Sequence, residues 1–281
     1  DAGFRFFCWD AETSMTELDY NNVDENNEEN PSWFYHELLE NDDFRMLFAD
    51  HIQKNFFNGG PLTPEAAEAR YEELAAEIDL AVIAESARWG DYQKDVLNNG
   101  SGVVYNRNEH WVPRRDELLD EYFPQRTDVV IQQFQDYGVF PTIQAPEFTH
   151  YGGEIPDPID LGMTTNYGDI YFTIDGSDPR EQITSAVSSL SQLYDSAFPI
   201  NASITVRARA KSGNEWSPIT EATFEFTGVV ATEEQNGLRI SASSFPNPFS
   251  GSTTISYQLA ESSQVAIDIY TIDGRKIDAL Y

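Results

Sequence analysis

The hydrophobic period of this chain changes near residue 146, and that change limits what it can fold into. Upstream, apolar residues recur at helical spacing; downstream they alternate, as in Ile170-Tyr-Phe-Thr-Ile174, Ile204-Thr-Val-Arg-Ala-Arg-Ala210 and Ala222–Phe226. A multidomain α+β organisation follows. Residues 1–146 form a mainly helical segment and 147–229 a small antiparallel β-sandwich. A polar linker at 230–237 leads to an incomplete β-segment over 238–281.

The helical segment is punctuated by its own start and stop signals. Leu18–Asn30 is rich in Asn and acid and reads as a surface loop. Helices are expected at Ser32–Leu39 and Phe44–Phe57. The second has Phe44, Leu47, Phe48, Ile52 and Phe56 on its apolar face, Asp42 or Asp43 as N-cap, and Asn58-Gly59-Gly60 as stop. Thr63-Pro64-Glu65 begins the longest predicted helix, running to about Trp89 with Tyr71, Leu74, Ile78, Val82 and Trp89 near one stripe; Gly90 ends it. Two shorter helices are expected near Arg114–Phe123 and Arg126–Tyr137, the latter closed by Gly138.

One strand precedes them. In Phe4–Trp9 both faces are largely apolar, as in a strand buried on both sides. It exits on Asp10 and Glu12, one side-chain period apart. A buried strand that delivers a carboxylate is a common way to hold a divalent cation over phosphate; the alternative is that Asp10 caps a turn. With no Met, signal peptide or linker ahead of this strand, the chain is expected to start inside a domain.

Beyond residue 146, Asp175-Gly-Ser-Asp-Pro179 and Lys211-Ser-Gly-Asn-Glu215 supply turns between strands. Asp175 and Asp178 suit turn chemistry, with calcium as the other reading. Tyr167, Tyr171 and Trp216 suit core or edge packing, with stacking on sugar as the other reading. Strands follow at Thr253–Leu259 and Val265–Tyr270, with a hairpin turn at Asp273-Gly274. So few residues follow Ile277 that the segment is expected to be cut at its end.

Net charge is −31, with 30 Asp/Glu against 10 Lys/Arg in residues 1–146, which argues against nucleic acid and anionic membrane as partners. The bland reading of this acid is a solvated surface; cation capture is the specific one. Cys8 is the single cysteine, so no intrachain disulfide forms. His36, His51, His110 and His150 lack metal-ligand spacing, and no run of 18 apolar residues spans a membrane.

Five stretches occur in order over roughly residues 1–150: FRFFCWDAE (Phe4–Glu12), NDDFRMLFADHI (Asn41–Ile52), GPLTPE (Gly60–Glu65), ESARWGD (Glu85–Asp91) and PTIQAPEF (Pro141–Phe148). Together they resemble the C-terminal part of the CotH kinase family, kinase-like proteins first known from spore coats. The resemblance implies ATP- and magnesium-dependent phosphoryl transfer to protein in an intact parent. It makes Asp10 the candidate magnesium ligand, with Glu12 assisting. Glu85, Arg88, Trp89 and Asp91 carry the second signature. Glu85 and Arg88, three apart, can pair on a helix face. Arg88 and Trp89 either lock this helix end against the opening strand or, for Arg88, contact phosphate or substrate.

Phosphoryl transfer also needs a phosphate-binding lysine and a residue that positions the acceptor hydroxyl. The family resemblance puts these upstream of the opening strand. Lys54 and Lys94, the lysines of residues 1–146, sit in non-matching contexts. The 281 residues are therefore expected to transfer no phosphate by themselves, and no cofactor is assured for them.

IYFTIDGSDPR (Ile170–Arg180), Tyr194 with Pro199-Ile200, ITVRARAKSGNEWS (Ile204–Ser217) and TFEF (Thr223–Phe226) resemble the chitobiase/β-hexosaminidase C-terminal type of Ig-like domain, a spacer in secreted carbohydrate-active proteins. FPNPFSGSTTISYQL (Phe245–Leu259) and VAIDIYTIDGRKI (Val265–Ile277) resemble the type IX secretion C-terminal sorting domain of Bacteroidetes. That second resemblance implies export to the cell surface or medium, with the secretion machinery as a partner. The leading expectation is thus an exported kinase-like protein with a protein substrate. Its rivals are a non-catalytic surface module binding glycan or matrix, and an acidic, calcium-linked surface-layer component.

Overall fold

The computed structural model describes residues 14–29, 32–96, 102–228, 241–245, 251–259, 265, 267–270 and 276–280. They form a mixed α+β protein: a helical segment followed by several small sheets. Among the described residues no helix is long and apolar enough to cross a membrane.

Helix α1 spans Ser32–Leu38 and α2 spans Asp42–Phe56. The cap of α2 is Asn41, one residue earlier than the sequence suggested. Its carboxamide oxygen accepts from the backbone N–H of Asp43 at 2.9 Å and of Phe44 at 3.1 Å. Asp42 and Asp43 occupy the first turn instead, where a carboxylate suits the positive end of the helix dipole.

The long helix expected over 63–89 divides into α3 (Pro64–Ile78) and α4 (Ala81–Trp89). Arg107 explains the break. Its guanidinium donates to the Asp79 backbone carbonyl at 3.2 Å and to the Asp79 carboxylate at 2.5 Å, drawing that peptide out of the ladder. Thr63 makes no cap bond; its hydroxyl donates to the Gly60 carbonyl. The expected stripe is not core either. Leu74, Ile78 and Trp89 are about half exposed, and α3 packs through Ala75 and Tyr71, the latter 5.0 Å from the Phe123 ring.

Helix α5 is a single turn, Tyr92–Asp95. The two later helices expected are one continuous helical run: a π-turn at Arg107–Trp111, α6 (Val112–Glu117), a second π-turn at Leu118–Tyr122, and α7 (Phe123–Asp136). Pro113 and Pro124 each follow a π-turn. That wider turn gives the proline ring room, so the run bends rather than stops. Gly138 (φ +79°) closes it as expected. Helices α2 and α7 share an apolar core of Ala49, Ile52 and Phe140 with Phe48, Phe56, Ile131 and Phe134. The loop before α1 is strapped to α7 by Arg126, which donates to the carbonyls of Leu18 and Tyr20.

Ten short strands follow: β1 (Glu147–Phe148), β2 (Gly153–Ile155), β3 (Ile159–Leu161), β4 (Met163–Thr164), β5 (Asp169–Thr173), β6 (Gln192–Leu193), β7 (Phe198–Ile200), β8 (Ile204–Ser212), β9 (Glu215–Trp216) and β10 (Thr220–Phe226). The main sheet runs β2-β10-β8-β5-β6, with β9 paired to β8. Only the β2–β10 pair within it is parallel. The ribbons β1–β4 and β3–β7 contribute to the same apolar cluster as one face of this sheet, which includes Leu161, Ile200, Val206, Ala208 and Phe224, all fully buried. On β8 the period of two sends Val206 and Ala208 to that core and Arg207 and Arg209 to the opposite face.

Two separate hairpin pairs lie near the C-terminus: β11 (Ser241–Phe245) with β12 (Thr254–Gln258), and β13 (Ile267–Tyr270) with β14 (Lys276–Leu280). The turn at Asp273-Gly274 lies outside the described residues, but the antiparallel pairing on either side of it is the pairing a hairpin there requires.

Candidate functional site

The second face of the main sheet is covered by α2. Arg209 stands at the centre of this contact with 1% of its surface exposed. A guanidinium out of water must be paired, and this one satisfies all five of its N–H groups. Nε donates to Asp178 and Nη1 to Asp50 and the Ser217 carbonyl. Nη2 donates to Asp50 and Asp178, every carboxylate contact being 2.7 Å and the carbonyl contact 3.0 Å. Asp50 comes from α2, Asp178 from the turn after β5, and Arg209 from β8. Asp50 also accepts the Ile219 backbone N–H at 2.9 Å.

Charge and hydrogen bonding decide the protonation states here. Burial pushes the Asp178 carboxyl up, but the Arg209 hydrogen bonds and charge outweigh it and hold the group below the usual carboxylate range. Burial likewise favours the neutral form of Arg209, and the two carboxylates more than reverse this, raising its affinity for the proton.

A second bridge lies one heptad away along α2. Arg180, 5% exposed, contacts Asp43 at 2.7 Å and donates to the Ser185 hydroxyl. Asp43 accepts the Ile183 backbone N–H, and that bond, followed by the one from Arg180, lowers its carboxyl below the ordinary range. Asp43 and Asp50 are seven apart and so lie on one helix face. The extended exit of the helical segment is tied in as well: Thr220 donates to the buried Pro146 carbonyl at 2.6 Å. Beside the bridges lies a cleft of 480 Å³, lined from α2 by residues including Gln53 and Lys54 and from the β segment by Tyr151, Gln182 and Glu221.

The candidate residues read from the sequence do not converge on this contact, except for Asp178. Asp10, Glu12 and the opening strand lie outside the described residues. Glu85, Arg88 and Trp89 lie on α4, with Asp91 just beyond it. The Arg88 guanidinium sits 5.0 Å from the Trp89 ring centroid, and that ring meets Tyr92 edge-on. No ion pair joins Glu85 to Arg88 among the described residues. Gly90 is what this motif needs sterically. A Cβ there would collide with the carbonyl oxygens of Tyr105 and Ser86, and Tyr105 donates its N–H to the Gly90 carbonyl at 2.7 Å.

Trp216 is 3% exposed, donates its indole N–H to the Ser185 carbonyl, and packs against Tyr171 and Lys211, so it presents no open face to a sugar. Asp175 accepts from the Ser177 hydroxyl and N–H in an Asx turn, and Asp178 is engaged by Arg209. Among the described residues no group of three or more His, Cys, Asp or Glu could hold a metal ion.

Residues 159–224 match the protein family described as Fn3 associated, an Ig/fibronectin-like β domain. The match covers under a quarter of the chain. None of the curated proteins matches it. Asp178, Arg180, Arg209 and Trp216 fall inside the matched stretch, whereas Asp43 and Asp50 fall outside it. The β domain therefore takes counter-charges for two of its buried arginines from the helical segment. Alternation hid this role of Arg209, because the polar face of β8 reads as solvent-facing. The available signal was Asp43 and Asp50 on one face of α2.

Proposed function

We propose that this chain belongs to an exported, CotH-family kinase-like protein. In this reading the helical segment handles magnesium-bound ATP through Asp10 with Glu12, and the Fn3-associated domain is a spacer fixed rigidly behind it. The finer assignments go with it: a chitobiase-C-type sandwich over 147–229, a type IX secretion sorting segment over 238–281, and an extracellular location. The observation that carries the reading is the order of the five stretches over residues 1–150. The junction supports the spacer role. NDDFRMLFADHI supplies Asn41, Asp43 and Asp50, the cap and both counter-charges, and PTIQAPEF supplies the buried exit through Pro146.

Calorimetric titration with ATP tests the proposal. Binding is expected only with magnesium present, and Asp10→Asn is expected to abolish it without phosphate incorporation by either protein. Magnesium-independent binding, or full binding by Asp10→Asn, would overturn the reading. The rival, a glycan-binding surface module acting through Trp216, is disfavoured by the burial of that ring.

A further inference from the structure

We infer that the outer face of α4 is a docking surface for a segment of this same chain, the aromatic stretch Phe4–Trp9, which lies outside the described residues. This seat sets where Asp10 and Glu12 emerge and so deepens the nucleotide reading; the docking itself does not depend on that reading.

The apolar side of α4 is turned away from the rest of the helical segment. None of the residues of α4 is buried. Leu80, whose backbone angles are helical, falls with Ile83, Ala84 and Ala87 within an arc of about 100°, the width of an ordinary core-facing stripe. All four are exposed, Leu80 by 77% and Ile83 by 53%. The other side is the attached one. There Val82 and Ser86 are half-buried, Arg107 holds the Asp79 carboxylate at the helix base, and Tyr105 donates to the Gly90 carbonyl at its end. Single exposed apolar side chains are ordinary, but a contiguous stripe turned outward marks an interaction surface.

Reach and composition name the occupant. The described chain starts at Ser14, and Arg114 donates to the carbonyls of Met15 and Thr16 next to it. Arg107 and Arg114 belong to one helical run and are seven residues apart. That run therefore holds the base of α4 and the start of the described chain about two turns, ~10 Å, apart. Trp9 lies five residues before Ser14, or about 17 Å of extended chain. A strand over Phe4–Trp9 is about 20 Å long and α4 about 14 Å, so the stretch can cover the stripe from end to end.

Phe4, Phe6 and Cys8 alternate onto one strand face with no charge among them, whereas Arg5 interrupts the other face. The uncharged face is the one that suits Leu80, Ile83, Ala84 and Ala87. Arg88 borders the last turn of the stripe, and the strand leaves on Asp10 and Glu12, so the exit acids meet a cation there.

Cys8, the single cysteine, is the probe. In the 281-residue chain, Ala84→Cys adds a thiol on the exposed stripe and Ser196→Cys adds one at an exposed control position of the β segment. A short bismaleimide is expected to join Cys8 to position 84 within one chain, with no matching product in the control, as read by peptide mass spectrometry. Ile83→Asp alters a side chain that costs little to change unless something covers it. It should raise the rate at which Ellman's reagent labels Cys8 by about tenfold or more, with the circular dichroism of the helices unchanged. If Ile83→Asp fails to fold, the cross-link still decides. Any one of three results overturns the proposal: no Cys8 cross-link to position 84 above the control, cross-links only between two chains (which would put a second copy on this face), or unchanged Cys8 labelling in folded Ile83→Asp. All are read without nucleotide, so their failure is distinct from failure of the Asp10 titration.

Discussion

Arg209 of β8 reaches across the sheet face to Asp50 of α2 through two hydrogen bonds of 2.7 Å each. The pair joins a strand inside the Fn3-associated match to a helix outside it. Removing the guanidinium strands Asp50 and Asp178 together, and breaking a buried pair in this way costs about 3–5 kcal/mol. Arg209→Met is therefore expected to lower the urea midpoint sharply. Adding Asp50→Asn and Asp178→Asn to Arg209→Met should recover much of the loss, because the unpaired charges go with it. Single-variant stability within about 0.5 kcal/mol of the parent would contradict the buried bridge.

The same bridge sets an acid limit. Asp178 has a depressed folded-state pKa, so its contribution is fully present above the unfolded value, about 3.9, and is lost as pH falls through the folded one. Asp43 carries the same sign. Urea midpoints measured against pH are expected to be flat near neutrality and to fall below about pH 4. In Asp178→Asn the acid slope should be shallower. An equally steep slope in that variant would place the acid sensitivity elsewhere.

Gly90 offers a test in which local and tertiary reasoning disagree. Its backbone is right-handed helical, φ −59° and ψ −26°, so helix propensity alone predicts that Gly90→Ala stabilises. The Tyr105 and Ser86 carbonyls leave no room for the methyl. Overpacking of this kind costs about 1–3 kcal/mol, and thermal melts are expected to show a lower midpoint. A raised midpoint would mean that the chain at 102–106 yields freely.

Trp216→Ala separates packing from recognition. The ring is buried and hydrogen-bonded to the Ser185 carbonyl, so truncation should cost about 3–5 kcal/mol. Any loss of retention on insoluble glycan should appear only in step with unfolding. Lost retention in a variant that melts like the parent would restore the sugar-stacking role.

Much of the architecture was legible because it rests on local rules. The three longest strands of the main sheet, β5, β8 and β10, announced themselves by alternation, whereas the two- and three-residue strands did not, and Gly138 marked the end of α7 by the αL position it occupies. What escaped depends on partners distant in sequence. The break after Ile78 needs Arg107, 28 residues on from Asp79, and the continuity of 107–136 needs π-turns that propensity does not foresee. Arg209 looked solvent-facing because nothing local tells a strand that a helix 159 residues earlier will cover it.

The N-terminus of α2 gives the most local test. Two acids follow Asn41, and either was a reasonable cap by composition, yet the Asn41 carboxamide makes both cap bonds. Asn41→Ala should cost about 0.5–2 kcal/mol. Asp42→Asn should cost much less, since Asp42 faces solvent and its ion pair among the described residues is with the neighbouring Arg45. Asp43→Asn should also weaken the Arg180 bridge, and a double-mutant cycle with Arg180→Met should show coupling that the Asp42 cycle lacks. If Asn41→Ala were neutral and Asp42→Asn costly in the same urea series, the cap would belong to Asp42 and the first turn of α2 would begin one residue later.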